Sequence, residues 1–146
     1  MEYINKMKLE FESRSENESF ARSAVAAFAA QLDPTVEELT EIKTAVSEAV
    51  SNAVIHGYRN GEGVIVVEVK LTADRKVFFS VTDCGVGIEN VAQAREPLFS
   101  SDTGTERSGM GFTVMESFTD RMDVTSEPGK GTRVAMMKQL DQFYEL

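Results

Sequence analysis

The sequence is short of several things: it holds one cysteine, one histidine, three prolines and no tryptophan in 146 residues. With Cys84 alone, no internal disulfide can form, and nothing points to a disulfide-stapled extracellular scaffold. A single domain of this length buries roughly 68–70% of its unfolded surface, so it can stand without disulfides or a structural metal. No apolar run nears the ~18 residues of a membrane span and no signal peptide opens the chain, which reads as soluble and cytoplasmic with no membrane partner. Positive charge is also scarce, at 15 Lys and Arg against 24 Asp and Glu, for a net charge of -9. Such a surface repels a phosphate backbone, and no Lys/Arg cluster offsets it, so direct nucleic-acid binding is excluded as a primary role. An anion such as ATP would have to be held by backbone N–H groups, a metal and a few placed cations.

What is present is enough for a core. Leu, Ile, Val and Phe make up about a quarter of the chain, above the ~20% below which disorder sets in. There is no repeat, low-complexity stretch or linker, so residues 1–146 read as one domain. Residues 7–12 alternate apolar and charged, as a half-buried strand does. Ser15 and Glu18 stand at capping-box spacing before a helix with a Phe20, Ala24, Val25, Phe28, Leu32 stripe. After Pro34, Thr35 and Glu38 repeat that spacing before a second stripe of Leu39, Ile42, Val46, Ala49, Val50 and Ala53. Gly57 is placed to end the second helix in the left-handed conformation. Strands are expected at 64–71 and 77–83, a long functional loop at 89–107 and a helix at 109–118. A hairpin of 122–126 and 132–138 closes the chain. The order β-α-α-β-β-loop-α-β-β predicts an α+β fold, a two-layer sandwich with helices on one face of a mostly antiparallel sheet.

Four segments carry candidate chemistry. In Glu48-Ala-Val-Ser-Asn52-Ala-Val-Ile-His56-Gly57, helical spacing puts Glu48, Asn52 and His56 on one strip at the edge of the core. A carboxylate and an amide oxygen one turn apart can hold a hydrated Mg²⁺, and the carboxylate can accept a proton. Taken alone, the strip reads more simply as a polar helix edge with a capping histidine. Asp83-Cys84-Gly85-Val86-Gly87 follows a strand, and its glycines let the backbone approach a flat ligand while the carboxylate accepts an amino hydrogen. By itself that pattern is also a common glycine turn. Glu106-Arg107-Ser108-Gly109-Met110-Gly111-Phe112 opens a helix, where free N–H groups and the dipole favour phosphate and Arg107 adds a cation. Gly129-Lys130-Gly131-Thr132 is explained by turn chemistry, with Thr132 able to hydrogen-bond a base edge.

In that order the four segments resemble the N, G1, G2 and G3 boxes of the GHKL ATPases, the superfamily of DNA gyrase, heat-shock chaperones, histidine kinases and mismatch-repair ATPases. Within it, the chain resembles the small anti-sigma factor kinases of spore-forming bacteria, of the sporulation type. The resemblance is carried by Asn17-Glu-Ser-Phe-Ala-Arg22, Ser47-Glu-Ala-Val-Ser-Asn-Ala-Val-Ile-His-Gly-Tyr58 and Glu106-Arg-Ser-Gly-Met-Gly-Phe112. It runs nearly end to end, fading at residues 1–7, in the 59–63 turn and after about 138. Cys84 stands where an acidic residue is often seen, and 100–105 departs more.

The resemblance implies a GHKL (Bergerat) fold that binds ATP or ADP with Mg²⁺. It implies that Asp83 binds the adenine amino group in the turn shaped by Gly85 and Gly87, with Thr132 near the base. By the same resemblance Asn52 ligates Mg²⁺, Glu48 is general base toward a serine hydroxyl, and Arg107 reaches the γ-phosphate. Ser108, Gly109, Met110, Gly111 and Phe112 would cradle the phosphates. The partners implied are sporulation sigma factor F, held inactive by a homodimer, and an anti-anti-sigma protein that the kinase phosphorylates on serine. Arg22 would contact both partners, and its helical phase sets it away from the Phe20/Ala24/Phe28 stripe. Three rivals remain. A histidine kinase catalytic domain is disfavoured because the only histidine, His56, lies inside the nucleotide box. A nucleotide-gated binding module without transfer would not need Glu48. The kinase of the general stress sigma factor is the closest rival, and the 17–22 and 106–112 stretches favour the sporulation type.

Overall fold

The computed structural model describes residues 2–96 and 111–141. The predicted first strand extends further back than the clean alternation does: β1 spans Tyr3–Glu12 and pairs with β2 (Val64–Thr72), with one irregularity between Tyr3 and Asn5. β2 pairs with β3 (Lys76–Asp83), β3 with β5 (Gly131–Gln139) and β5 with β4 (Arg121–Glu127). The order is β1-β2-β3-β5-β4, with every pair antiparallel. Directly paired residues share a face, so the register itself lays down the core. One row is Leu9, Val67, Val81, Val134 and Val124, and the next is Met7, Val69, Phe79, Met136 and Met122. Asp83, Thr132 and Ser126 form a row at the end of the same face.

Helices α1 (Glu16–Ala29) and α2 (Val36–Asn52) pack on each other and contribute to that core. Along α1 and the short helical turn after it, the expected stripe holds at Val25 and Leu32, which are buried, and at Phe28, which packs against the core, but the buried face extends to Ala21, Ala26 and Ala29 instead of Phe20. Ala21, Val25 and Ala29 are fully buried, while Phe20 is 55% exposed and stands edge to face with the Phe11 ring, centroids 6.5 Å apart. Small side chains let the two helix backbones approach, which a phenylalanine in the seam would prevent. The capping box at Ser15 and Glu18 does not form either. Ser15 is itself in helical conformation, and the Glu18 carboxylate instead accepts from Ser51 Oγ of α2 at 2.6 Å.

The second capping box forms as its spacing predicts. Thr35 N–H donates to Glu38 Oε1 at 2.8 Å and Glu38 N–H to Thr35 Oγ1 at 3.0 Å. Glu38 Oε2 also accepts from the Asp141 N–H, so one carboxylate ties the helix start to the end of the sheet. At its other end α2 passes into a π-helical turn, Ala53–Gly57. Gly57 is not left-handed; Arg59 and Asn60 are, at φ 52 and 62. A four-residue helix, α3 (Val91–Ala94), is capped by the Asn90 side chain, and α4 (Gly111–Ser117) buries Met115. Lys138 of β5 reaches both Glu41 of α2, at 2.7 Å, and the Phe118 carbonyl just after α4. Those expectations for 89–107 and 109–118 that fall on residues 97–110 lie outside the described residues.

Candidate functional site

A cavity of about 540 Å³ opens at the end of the sheet, between the last turn of α2, the turn after β3, and the starts of α3 and α4. Asn52, His56, Asp83, Gly87, Phe112 and Thr132 line it, together with Gly111. Sequence-predicted residues from three of the four segments thus meet at one place, with Gly111 and Phe112 standing for the remaining one. Arg107, Ser108, Gly109 and Met110 lie outside the described residues.

Asp83 forms the inner end. It is 7% exposed, and its carboxylate accepts the N–H of Gly85 at 2.9 Å and that of Thr132. Burial pushes this carboxyl above its ordinary range, and the two amide donors pull it partly back. Gly57 explains how so bulky a group fits beside the helix. A Cβ on Gly57 would stand 2.8 Å from the Asp83 carboxylate, so glycine is there to leave room and not to cap the helix.

The Cys84–Ile88 turn is pinned through its backbone. Cys84 N–H donates to the Tyr58 hydroxyl at 2.7 Å and Val86 N–H to the Gly57 carbonyl at 2.9 Å. Gly129 N–H donates to the Val86 carbonyl at 2.8 Å, and Ile88 N–H to Ser126 Oγ at 2.7 Å. The Tyr58 hydroxyl in turn donates a hydrogen bond to the Val64 carbonyl at 2.6 Å, joining the helix end, β2 and the turn. Sequence reasoning missed Tyr58 and Ser126 as contributors to this site. Their only signal is adjacency, to His56-Gly57 and to the final glycine turn, and each works through a partner distant in the chain.

Glu48 and Asn52 stand one turn apart on α2, as their spacing requires. A Cβ on Gly111 would lie 3.1 Å from Asn52 Nδ2 and 3.3 Å from Glu48 Oε2, so the start of α4 rests directly on both side chains. The strip does not continue regularly to His56, because the π-helical turn changes the phase after Asn52; such turns recur at functional sites. His56 nevertheless lines the cavity. No cluster of three or more His, Cys, Asp or Glu that could cage an ion occurs among the described residues. The oxygens of Glu48 and Asn52 suit a hydrated Mg²⁺, which takes one or two protein ligands and keeps water and phosphate for the rest. Arg22 lies on α1, away from the cavity. It is half-buried on the flank of the true stripe, one turn before Ala26, and projects less freely than the expected phase implies.

The family described as histidine kinase-like ATPase domain matches residues 11–138. An anti-sigma F factor of Clostridium perfringens is 57% identical over 138 residues, covering 94% of this chain and 98% of its own. The chain belongs to the anti-sigma F factor family. An anti-sigma F factor of Thermoanaerobacter pseudethanolicus is 55% identical over 140 residues, covering 96% of this chain and 97% of its own. Among solved structures, the RsbU and RsbW domains of a Mycobacterium tuberculosis protein superpose with a TM-score of 0.66 at 20% identity. That match covers 93% of this chain and 32% of the other, and at such identity it speaks to the fold alone. A histidine kinase-like ATPase domain implies nucleotide binding, and the cavity is lined by Asp83, Asn52 and Gly111. No helix among the described residues is long and apolar enough to cross a membrane.

Proposed function

We propose that this chain is a cytoplasmic, ATP-dependent serine protein kinase that, as a homodimer, also binds and inhibits sporulation sigma factor F. Its substrate is a serine of the anti-anti-sigma protein that competes for it. The observation that carries the reading is the close approach of Gly111, where a Cβ would stand within 3.3 Å of both Asn52 and Glu48, at the edge of a cavity that Asn52, Gly111 and Asp83 line. A nucleotide with its base at Asp83 and Thr132 has its phosphates toward Gly111 and Phe112. Arg107, Ser108, Gly109 and Met110 complete the phosphate cradle in this reading. Asn52 would hold Mg²⁺, which neutralises phosphate charge. Glu48, adjoining that point, orients the serine hydroxyl and takes its proton. Phosphoryl transfer asks mainly for positioning and charge neutralisation, so the Glu48 carboxylate need not be strongly basic. High identity to anti-sigma F factors supports the sigma partner, and in this reading Arg22 of α1 contacts both it and the antagonist.

The test is phosphotransfer from labelled ATP with Mg²⁺ in a lysate of sporulating source cells, with Glu48→Gln as control. The expected product is acid-stable phosphoserine on one small protein, lost in Glu48→Gln while ATP and sigma factor F still bind. An acid-labile label would point to histidine kinase chemistry. ATP binding with no transfer would leave a nucleotide-gated binder.

A further inference from the structure

Beside the cavity-lining Thr132, one hydroxyl has every hydrogen-bonding position in use. Ser126 of β4 is paired with Thr132 of β5, which is paired in turn with Asp83 of β3. Thr132 and Asp83 line the cavity, and Ser126 is the next residue along the same row, beside Thr132. Its Oγ accepts the Ile88 N–H at 2.7 Å, donates to the Gly131 carbonyl at 3.0 Å and lies 2.8 Å from Thr132 Oγ1. A serine hydroxyl has one proton and two lone pairs. The Gly131 carbonyl can only accept and the Ile88 amide can only donate. The proton and one lone pair are therefore committed, and the remaining lone pair faces Thr132. Thr132 then donates to Ser126, and its Oγ1 turns lone pairs alone toward the cavity. The Asp83 carboxylate, already receiving the N–H groups of Gly85 and Thr132, also offers nothing but acceptors. The inner end of the cavity is an edge of two acceptors.

We propose that Ser126 is a positioning residue that sets the polarity of the Thr132 hydroxyl, so that the cavity prefers a 6-amino purine over a 6-oxo purine. The proposal rests on the reading of this cavity as the nucleotide site. An exocyclic amino group brings two hydrogens to the acceptors, whereas a 6-oxo oxygen sets lone pairs against lone pairs and leaves N1–H as the single donor on that edge for two acceptors. Without the Ser126 oxygen, the Thr132 hydroxyl is released to turn its proton into the cavity and to serve a 6-oxo oxygen as donor.

The experiment compares the affinities of ATP and ITP, with Mg²⁺, for the full chain, Ser126→Ala and Ser126→Thr. A loosened turn would weaken both nucleotides together, so the ratio of the two affinities is the readout. The full chain is expected to prefer ATP, and Ser126→Ala to lose about tenfold of that preference, the scale of one hydrogen bond. Ser126→Thr, which keeps the hydroxyl, restores it. Should Ser126→Ala fail to fold, Ser126→Cys is near-isosteric with weak hydrogen bonding and is expected to shift the ratio in the same direction. Equal weakening of ATP and ITP, or an unchanged ratio in a chain that binds ATP, overturns the proposal alone. A full chain that binds neither nucleotide overturns the nucleotide reading and the proposal with it.

Discussion

At the scale of single residues, Asp83 carries the most consequential electrostatics. Burial holds its carboxyl above the ordinary value of 3.8, so the folded chain keeps this proton more tightly than the unfolded chain does. The contribution of Asp83 to stability is therefore greatest in acid and falls as pH rises from 3.8 through the raised value. In the proposed reading nucleotide binding runs the other way, because the exocyclic amino group placed at Asp83 needs the carboxylate. Affinity for ATP, titrated against pH, is expected to begin its decline above the pH at which an ordinary aspartate protonates. A profile flat down to that point would show that Asp83 does not receive the amino group. Its identity as a candidate was legible from the glycine turn that follows it. Its burial was not, since that depends on Gly57, whose missing side chain leaves the space the carboxylate occupies.

At the scale of elements, the contrast between α1 and α2 is instructive. Both begin with the same capping spacing, and only Thr35–Glu38 closes its box. Glu18 finds a stronger partner across the helix pair in Ser51, and no local pattern encodes that choice. Glu38 is lowered from its ordinary value of 4.5: burial opposes the shift, and the donated N–H groups of Thr35 and Asp141 outweigh it. Its contribution is present above pH 4.5 and is lost as pH falls through the depressed value. Glu38→Ala leaves two amides without their acceptor, and thermal or denaturant unfolding should show a loss of about 1–3 kcal/mol at neutral pH. A loss within error of zero would mean that water replaces the carboxylate at both amides. The exclusion of Phe20 from the buried face of α1 has the same kind of cause. Phe20 satisfies the helical period as well as Ala21 does, and the closeness of α2 decides between them.

At the scale of the whole molecule, the cavity and the outer flank of α1 are separate places. Arg75 shows how the far side is tied together: its guanidinium donates to the carbonyls of Leu32, Asp33 and Asp141, joining the β2–β3 turn to the α1–α2 connection and the segment that follows β5. Because Arg22 lines no part of the cavity, Arg22→Ala is expected to weaken capture of sigma factor F and of the antagonist while ATP affinity stays unchanged. An unaltered complex in a pull-down would return Arg22 to an ordinary helix-surface role. The sequence by itself determined the order of the strands and the two long helices, the antiparallel α+β class and the second capping box. These rest on period, spacing and short-range chemistry, which act within a few residues. Glu48, Asn52, Asp83 and Thr132, by contrast, gained their weight as candidates from the family resemblance. Only the tertiary structure decided which face of α1 is buried, why Gly57 is a glycine, and that Tyr58 and Ser126 hold the turn beside Asp83. Each of those depends on groups brought together from distant parts of the chain, where packing space and the count of hydrogen-bond donors and acceptors outweigh local preference.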